Sequence, residues 1–176
     1  MKKSENIYLI GLMGAGKTTI GRELAKALRL PFYDSDKAIE ENTGVDIPTI
    51  FEYEGENGFR KREQEMIAKL TDIDGIVLAT GGGAILREEN RKRLKKNGFV
   101  VYLQCSIEHI LQRTRRDTQR PLLNTEDPKQ RLETLLTERE SLYLDCADFT
   151  IDTGEIQSKA VVKAILEAFQ EANDYK

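Results

Sequence analysis

The run Gly11-Leu12-Met13-Gly14-Ala15-Gly16-Lys17-Thr18 fits the pattern G-x-x-x-x-G-K-[ST]. Glycines at that spacing let a loop fold tightly enough for its N–H groups to converge on phosphate oxygens. A short apolar stretch, Ile7 to Ile10, precedes the run, and a helix-forming stretch, Thr19 to Leu28, comes after it. A helix amino terminus brings the positive end of its dipole to the same phosphates. Lys17 is then expected to reach the β- and γ-phosphates of a nucleoside triphosphate, and the Thr18 hydroxyl to ligate Mg²⁺. The alternative is a tight strand-to-helix turn whose glycines solve only a packing problem.

Proteins with this loop usually support Mg²⁺ through a carboxylate at the end of a neighbouring strand. The apolar run Ile76 to Ala79 ends in Thr80 and three glycines, without an acid, and Asp72 and Asp74 precede it. Asp34 and Asp36 instead follow the short Phe32-Tyr33 run, at the edge where open α/β sheets place ligands. Asp34 would face the metal, through water, and Asp36 an acceptor hydroxyl. Helix capping is the other reading, since Asp34-Ser35-Asp36 opens the helix containing Ala38 and Ile39. One residue can cap while the other catalyses.

Gly81-Gly82-Gly83 offers either close backbone approach to a ligand or a turn that needs positive φ. Among the basic residues, Arg60, Arg120 and Arg139 stand in unusual contexts: beside Phe59, before Pro121, and between Leu136 and Leu142. Planar guanidinium groups suit carboxylates and phosphates, although a surface ion pair is the ordinary fate of any one arginine. His109, the single histidine, has no catalytic partner in the sequence and is expected to be structural.

These residues need a scaffold. Ile7–Ile10, Ile76–Ala79 and Phe99–Leu103 are continuous apolar runs, the pattern of strands buried on both faces of a parallel sheet, with Pro31–Tyr33 and Phe149–Ile151 as weaker candidates. Helical patterns alternate with them over Thr18–Leu28, Ile47–Leu70, Arg87–Lys96, Ile107–Arg116, Pro128–Leu144 and Ile156–Phe169. That alternation predicts an α/β fold with helices on both sheet faces. The polar, basic stretch Arg115 to Asp127 reads as a mobile lid or an ordinary surface loop.

A length of 176 residues fits one domain, and 39% apolar with 32% charged residues is the balance of a water-soluble globule. A net charge of −3 argues against nucleic-acid binding. Met1 to Asn6 are polar and charged, the next apolar run, Ile7 to Ile10, is far too short for a signal-peptide core or a membrane span, and Cys105 and Cys146 lack paired spacing. Free thiols in a reducing, cytoplasmic setting are expected.

The pattern resembles the shikimate kinase family over essentially the whole chain. The resemblance is carried by Gly11 to Gly21, Asp34-Ser35-Asp36, Phe59-Arg60, Gly81-Gly82-Gly83-Ala84, Arg120-Pro121-Leu122-Leu123, and Arg139 four residues before Tyr143. It implies transfer of the γ-phosphoryl group of MgATP to the 3-hydroxyl of shikimate, in aromatic amino-acid biosynthesis. It also implies a three-layer P-loop kinase fold with a five-stranded parallel sheet of order 2-3-1-4-5. One domain over 1–176 is expected, with a lid near 113–127 and a shikimate-binding helical region near 35–62. By resemblance Asp36, Arg60, Gly82 and Arg139 bind shikimate, with Arg60 and Arg139 on its carboxylate. Asp36, Lys17 and Arg120 are the catalytic set. Gly14, Ala15, Gly16, Lys17, Thr18 and Thr19 hold the ATP phosphates, Arg120 closes onto ATP, and Arg113 lies near the adenine. Thr18 ligates Mg²⁺ and Asp34 supports it through water. The expected partners are these two small molecules, without nucleic acid or membrane, and the expected state is a monomer.

Departures from the family lie in the loop Gly154-Glu155-Ile156-Gln157, which lacks the usual basic residues near the base, and in the highly charged segment Thr114 to Thr118. The nearest rivals are P-loop kinases for gluconate or a nucleoside monophosphate. A slow nucleotide-hydrolysing switch is the rival from another class, although no N-K-x-D motif is present.

Overall fold

The computed structural model describes residues 5–114 and 125–175. The expected lid residue Arg120 and most of the segment around it lie outside the described residues. In chain order the elements are β1 (Ile7–Ile10), α1 (Lys17–Leu28), β2 (Phe32–Asp34), α2 (Ser35–Thr43), α3 (Ile47–Thr71) and β3 (Val77–Ala79). A 3₁₀ turn, Ala84–Leu86, leads to α4 (Glu88–Asn97), β4 (Phe99–Gln104), α5 (Ile107–Thr114), α6 (Pro128–Cys146), β5 (Phe149–Asp152) and α7 (Ser158–Asp174).

Among the described residues the strands form one parallel sheet in the order β2-β3-β1-β4-β5. Successive residues of a strand point to opposite faces, so the apolar runs feed two cores. Tyr8, Ile10, Leu78, Val100 and Tyr102 pack under α2, α3, α4 and α6 through Ile39, Ile67, Leu94 and Leu135. Ile7, Leu9, Val77, Val101 and Leu103 pack under α1 and α7 through Ile20, Leu24, Val161 and Ile165. Burial on both faces is why these strands read as unbroken apolar runs.

Strand register sets where the loops emerge. Leu9 pairs with Ala79, and Ala79 with Asp34, so β1, β2 and β3 end level with one another. The glycine loop after β1, the acids after β2 and the glycines after β3 therefore lie along one carboxyl edge.

Several boundaries differ from the sequence reading; the last helix, for one, runs on to Asp174, past Phe169. The stretch from Ile47 is not one continuous helix: Gly55, at φ 71° and ψ −179°, breaks it into two segments. The last helix begins at Ser158 and not Ile156, because Gln157 takes the extended cap position and Ile156 stays in the preceding loop.

Candidate functional site

The phosphate loop is shaped by backbone angles that side chains rarely adopt. Gly14 and Gly16 sit at φ 79° and 98°, and Gly16 is the N-cap of α1 without any side-chain cap bond. The first N–H groups of α1 are thus left for a ligand. Lys17, only 9% exposed, donates from Nζ to the Gly11 and Leu12 carbonyls at 2.6 and 2.8 Å. Its ammonium rests on the loop itself.

Asp34 does two jobs at once. Its Oδ1 accepts from the Asp36 and Lys37 N–H groups at 3.0 and 3.3 Å, capping α2, while its Oδ2 accepts from the Thr18 hydroxyl at 2.9 Å. Capping and a place beside the phosphate loop, two alternatives in the sequence, coexist in one carboxylate. Asp36 lies in the first turn of α2. A cleft of ≈ 480 Å³ runs between these groups, lined by Lys17, Thr18, Asp34, Asp36 and Gly82 among others.

Two guanidinium groups are buried against the glycine turn that borders the cleft, Arg60 beside Gly83 and Arg139 beside Gly82. Arg60 is 7% and Arg139 1% exposed, so neither is a surface ion pair. Arg60 Nη1 donates to Glu63 Oε1 at 2.9 Å, and Nη2 reaches the half-exposed Glu56 at 3.4 Å. Arg139 Nε and Nη1 have no hydrogen-bond partner among the described residues, nor have Arg60 Nε and Glu63 Oε2. Buried donors without partners are uncommon and are expensive to maintain without a ligand. An anion seated between them would satisfy both arginines.

The glycine turn accommodates this packing. None of Gly81, Gly82 and Gly83 has positive φ, so a turn needing left-handed backbone is not the reason for them. Close approach is. A Cβ on Gly83 would strike the Arg60 guanidinium, one on Gly82 would lie 3.2 Å from Met13 N and 3.6 Å from Arg139 Nη1, and one on Gly81 would lie 2.7 Å from Asp36 Oδ1 and 2.8 Å from Glu63 Oε2. The Gly81 N–H donates to Ser35 Oγ at 3.0 Å, and the Tyr143 hydroxyl donates to the Gly82 carbonyl.

Burial pushes the Glu63 carboxyl above the usual glutamate range, partly offset by Arg60, Arg139 and Arg87. Burial likewise pushes the Tyr143 phenol up to about 12, against the opposing pull of Arg139. Tyr143 therefore serves as a neutral hydrogen-bond donor at physiological pH.

Arg113 ties the phosphate loop to the loop after β5, donating to the Gly14 carbonyl at 3.2 Å and the Thr153 carbonyl at 3.3 Å. It borders a second cavity of ≈ 240 Å³ with Ala15, Thr19, Thr153 and Ile156, adjoining the main cleft through Gly16. His109 shares a 2.6 Å hydrogen bond with Ser106, whose hydroxyl also accepts from the His109 N–H at 3.3 Å. That is a helix-start arrangement, as a structural histidine requires.

The geometry thus gathers Gly14 to Thr19, Asp34, Asp36, Gly82 and Arg113 around one cleft and its extension, with Arg60 and Arg139 buried against the glycine turn that borders it. Sequence reasoning missed Glu63, Ser35 and the bond made by Tyr143. Glu63 had one weak signal, an acid three residues after Arg60 on a helix.

A shikimate kinase family model matches residues 13–170. A shikimate kinase of Methylococcus capsulatus is 55% identical over 98% of this chain and 96% of its own length. One from Pseudomonas syringae pv. tomato is 58% identical over 92% and 94%. Among solved structures, the Acinetobacter baumannii shikimate kinase in complex with shikimate superposes at TM-score 0.94 with 49% identity, covering 97% of this chain and 96% of that one. The Aquifex aeolicus shikimate kinase gives 0.81 with 37% identity, over 94% and 96%. A gluconokinase from Sinorhizobium meliloti, at 14% identity and TM-score 0.58, shares the fold alone. Matching along nearly its full length in sequence and in structure, the chain belongs to the shikimate kinase family.

Proposed function

We propose that this cleft transfers the γ-phosphoryl group of ATP to the 3-hydroxyl of shikimate, giving shikimate 3-phosphate and ADP. The observation that carries the reading is the buried, incompletely bonded pair Arg139 and Arg60, packed against the glycine turn of a cleft that the phosphate loop also lines. The arginine pair matches a small acceptor with a carboxylate, and the loop a triphosphate donor. Asp36 lines the same cleft.

The loop N–H groups from Gly14 to Thr19 would bind the phosphates, and Lys17 would leave the Gly11 and Leu12 carbonyls for the β- and γ-phosphoryl oxygens. The donor set fits Mg²⁺: because the Thr18 hydroxyl gives its hydrogen to Asp34 Oδ2, its lone pairs are left for a hard cation, and Asp34 supplies carboxylate charge behind it. Held by the Thr18 hydroxyl with Asp34 behind it, Mg²⁺ would supply positive charge against that developing on the phosphoryl group. Arg60 and Arg139 would hold the acceptor's carboxylate, with Gly82 close against its ring. Asp36 would accept the hydrogen of the 3-hydroxyl and fix that oxygen in line with the γ-phosphorus. Arg113 and Ile156 would border the adenine. Arg120 would add positive charge when the lid closes. The enzyme would act as a cytoplasmic monomer.

One ADP-release assay, run with shikimate, gluconate, AMP and no acceptor, tests the reading. ADP release that depends on shikimate, with a phosphate monoester of shikimate as product, is the expected result. Release that needs no acceptor, or that depends on gluconate or AMP instead, would reject it.

A further inference from the structure

Glu63 is the least solvated acid of the site, 0% exposed, and is held through Oε1 alone. Several charges surround it. From its own helix come Arg60 and Glu56; from α2 comes Asp36, across Gly81; from α6 come Arg139 and the neutral Tyr143; and from the residue before α4 comes Arg87, which donates to the neighbouring Gln64 at 2.9 Å. Among the described residues three guanidinium groups thus meet three carboxylates, and their charges balance.

An acceptor carboxylate docking on Arg60 and Arg139 adds one negative charge to that set without a cation. An uncompensated buried charge costs several kcal/mol, and a buried group relieves such a cost by neutralising itself. The most exposed acid of the set, Glu56, keeps its water, so the burden falls on the most buried one. Glu63 Oε2 has no hydrogen-bond partner among the described residues. It lies 2.8 Å, and Asp36 Oδ1 2.7 Å, from the point that a Cβ on Gly81 would occupy, so the two oxygens share that small space.

We infer that Glu63 takes up one proton from solvent when the acceptor's carboxylate binds, so that acceptor binding is linked to protonation. This rests on the reading that Arg60 and Arg139 hold that carboxylate. The proton comes from the buffer and goes to Oε2; Oε1 stays on Arg60. With Glu63 neutral, Asp36 is left as the one ionised carboxylate facing the acceptor hydroxyl. Burial already raises the Glu63 pKa in the free protein, and the added negative charge raises it further. Between those two values binding consumes a proton, and acceptor affinity falls by up to about tenfold per pH unit as pH rises.

The test is calorimetry of shikimate binding to the full chain, in buffers of different ionisation enthalpy and across a pH series. Uptake approaching one proton per acceptor at some pH, with affinity weakening as pH rises through that window, is expected. Glu63→Gln should bind shikimate with no uptake and a flat pH profile. Binding without proton uptake at every pH overturns the inference alone, as does uptake that persists in Glu63→Gln. Absence of any binding would instead sink the acceptor reading beneath it. Should Glu63→Gln fail to fold, acceptor-induced difference infrared spectra of the wild type decide the matter. A protonated carboxyl stretch that shifts with ¹³C-glutamate labelling supports the inference, and no such band overturns it.

Discussion

Thr18 and Asp34 are joined by a 2.9 Å hydrogen bond that runs from the first turn of α1 to the end of β2. The same carboxylate caps α2 through its other oxygen. The phosphate loop and the helix carrying Asp36 are thereby locked to one group, so the proposed donor and acceptor sites share a reference point.

That double role separates two substitutions. Asp34→Asn keeps an oxygen for the cap, since asparagine caps as well as aspartate. It should melt close to wild type yet need more Mg²⁺ for half-maximal turnover. Asp34→Ala loses both, with a further stability loss of about 1 kcal/mol. Thermal melts and a Mg²⁺ titration of the rate check this. An unaltered Mg²⁺ requirement in both variants would take Asp34 out of metal support.

Asp36→Asn should cut kcat by about 10²- to 10⁴-fold, the usual worth of a positioned acid or base, with little change in shikimate KM. Steady-state kinetics at saturating ATP decide it. Turnover near wild type would remove Asp36 from the mechanism.

How far the sequence carried this picture depends on the range of the physics involved. The phosphate loop and the buried strands are local patterns, and both appear where the residues predicted them. Arg60 and Arg139 read locally as candidates for surface ion pairs, because their burial comes from α3 and α6 closing on the turn after β3. Glu63 looks like half of an exposed helix pair for the same reason. The break at Gly55 had a local signal, since Gly55, Asn57 and Gly58 are poor helix formers, but helical patterns on both sides of them masked it. The glycines after β3 allowed two explanations, and only the neighbouring side chains decide for close approach.

Gly81→Ala tests that decision. Its Cβ would meet Asp36 Oδ1 and Glu63 Oε2 at 2.7 and 2.8 Å, and the forced shift should cost about 1–3 kcal/mol. Urea midpoint and kcat should both fall. Pairing it with Glu63→Ala removes one obstruction, so the double variant should be less destabilised than the sum of the two single ones. Strict additivity in the unfolding free energies would show that Glu63 is not what the new methyl group meets.

Arg139 should reveal its role through two substitutions. Lysine keeps the charge but cannot present two parallel donors to a carboxylate, so Arg139→Lys should raise shikimate KM about tenfold or more while kcat changes less. Arg139→Met also removes a charge that offsets the buried Glu63 carboxylate, and removing one member of a buried ionic set is destabilising, by about 3–5 kcal/mol. The methionine variant should therefore unfold at lower urea concentration than the lysine variant and bind no shikimate. A methionine variant as stable as wild type would show that Arg139 is not part of the charge balance around Glu63. An unchanged KM in Arg139→Lys would break the carboxylate clamp itself.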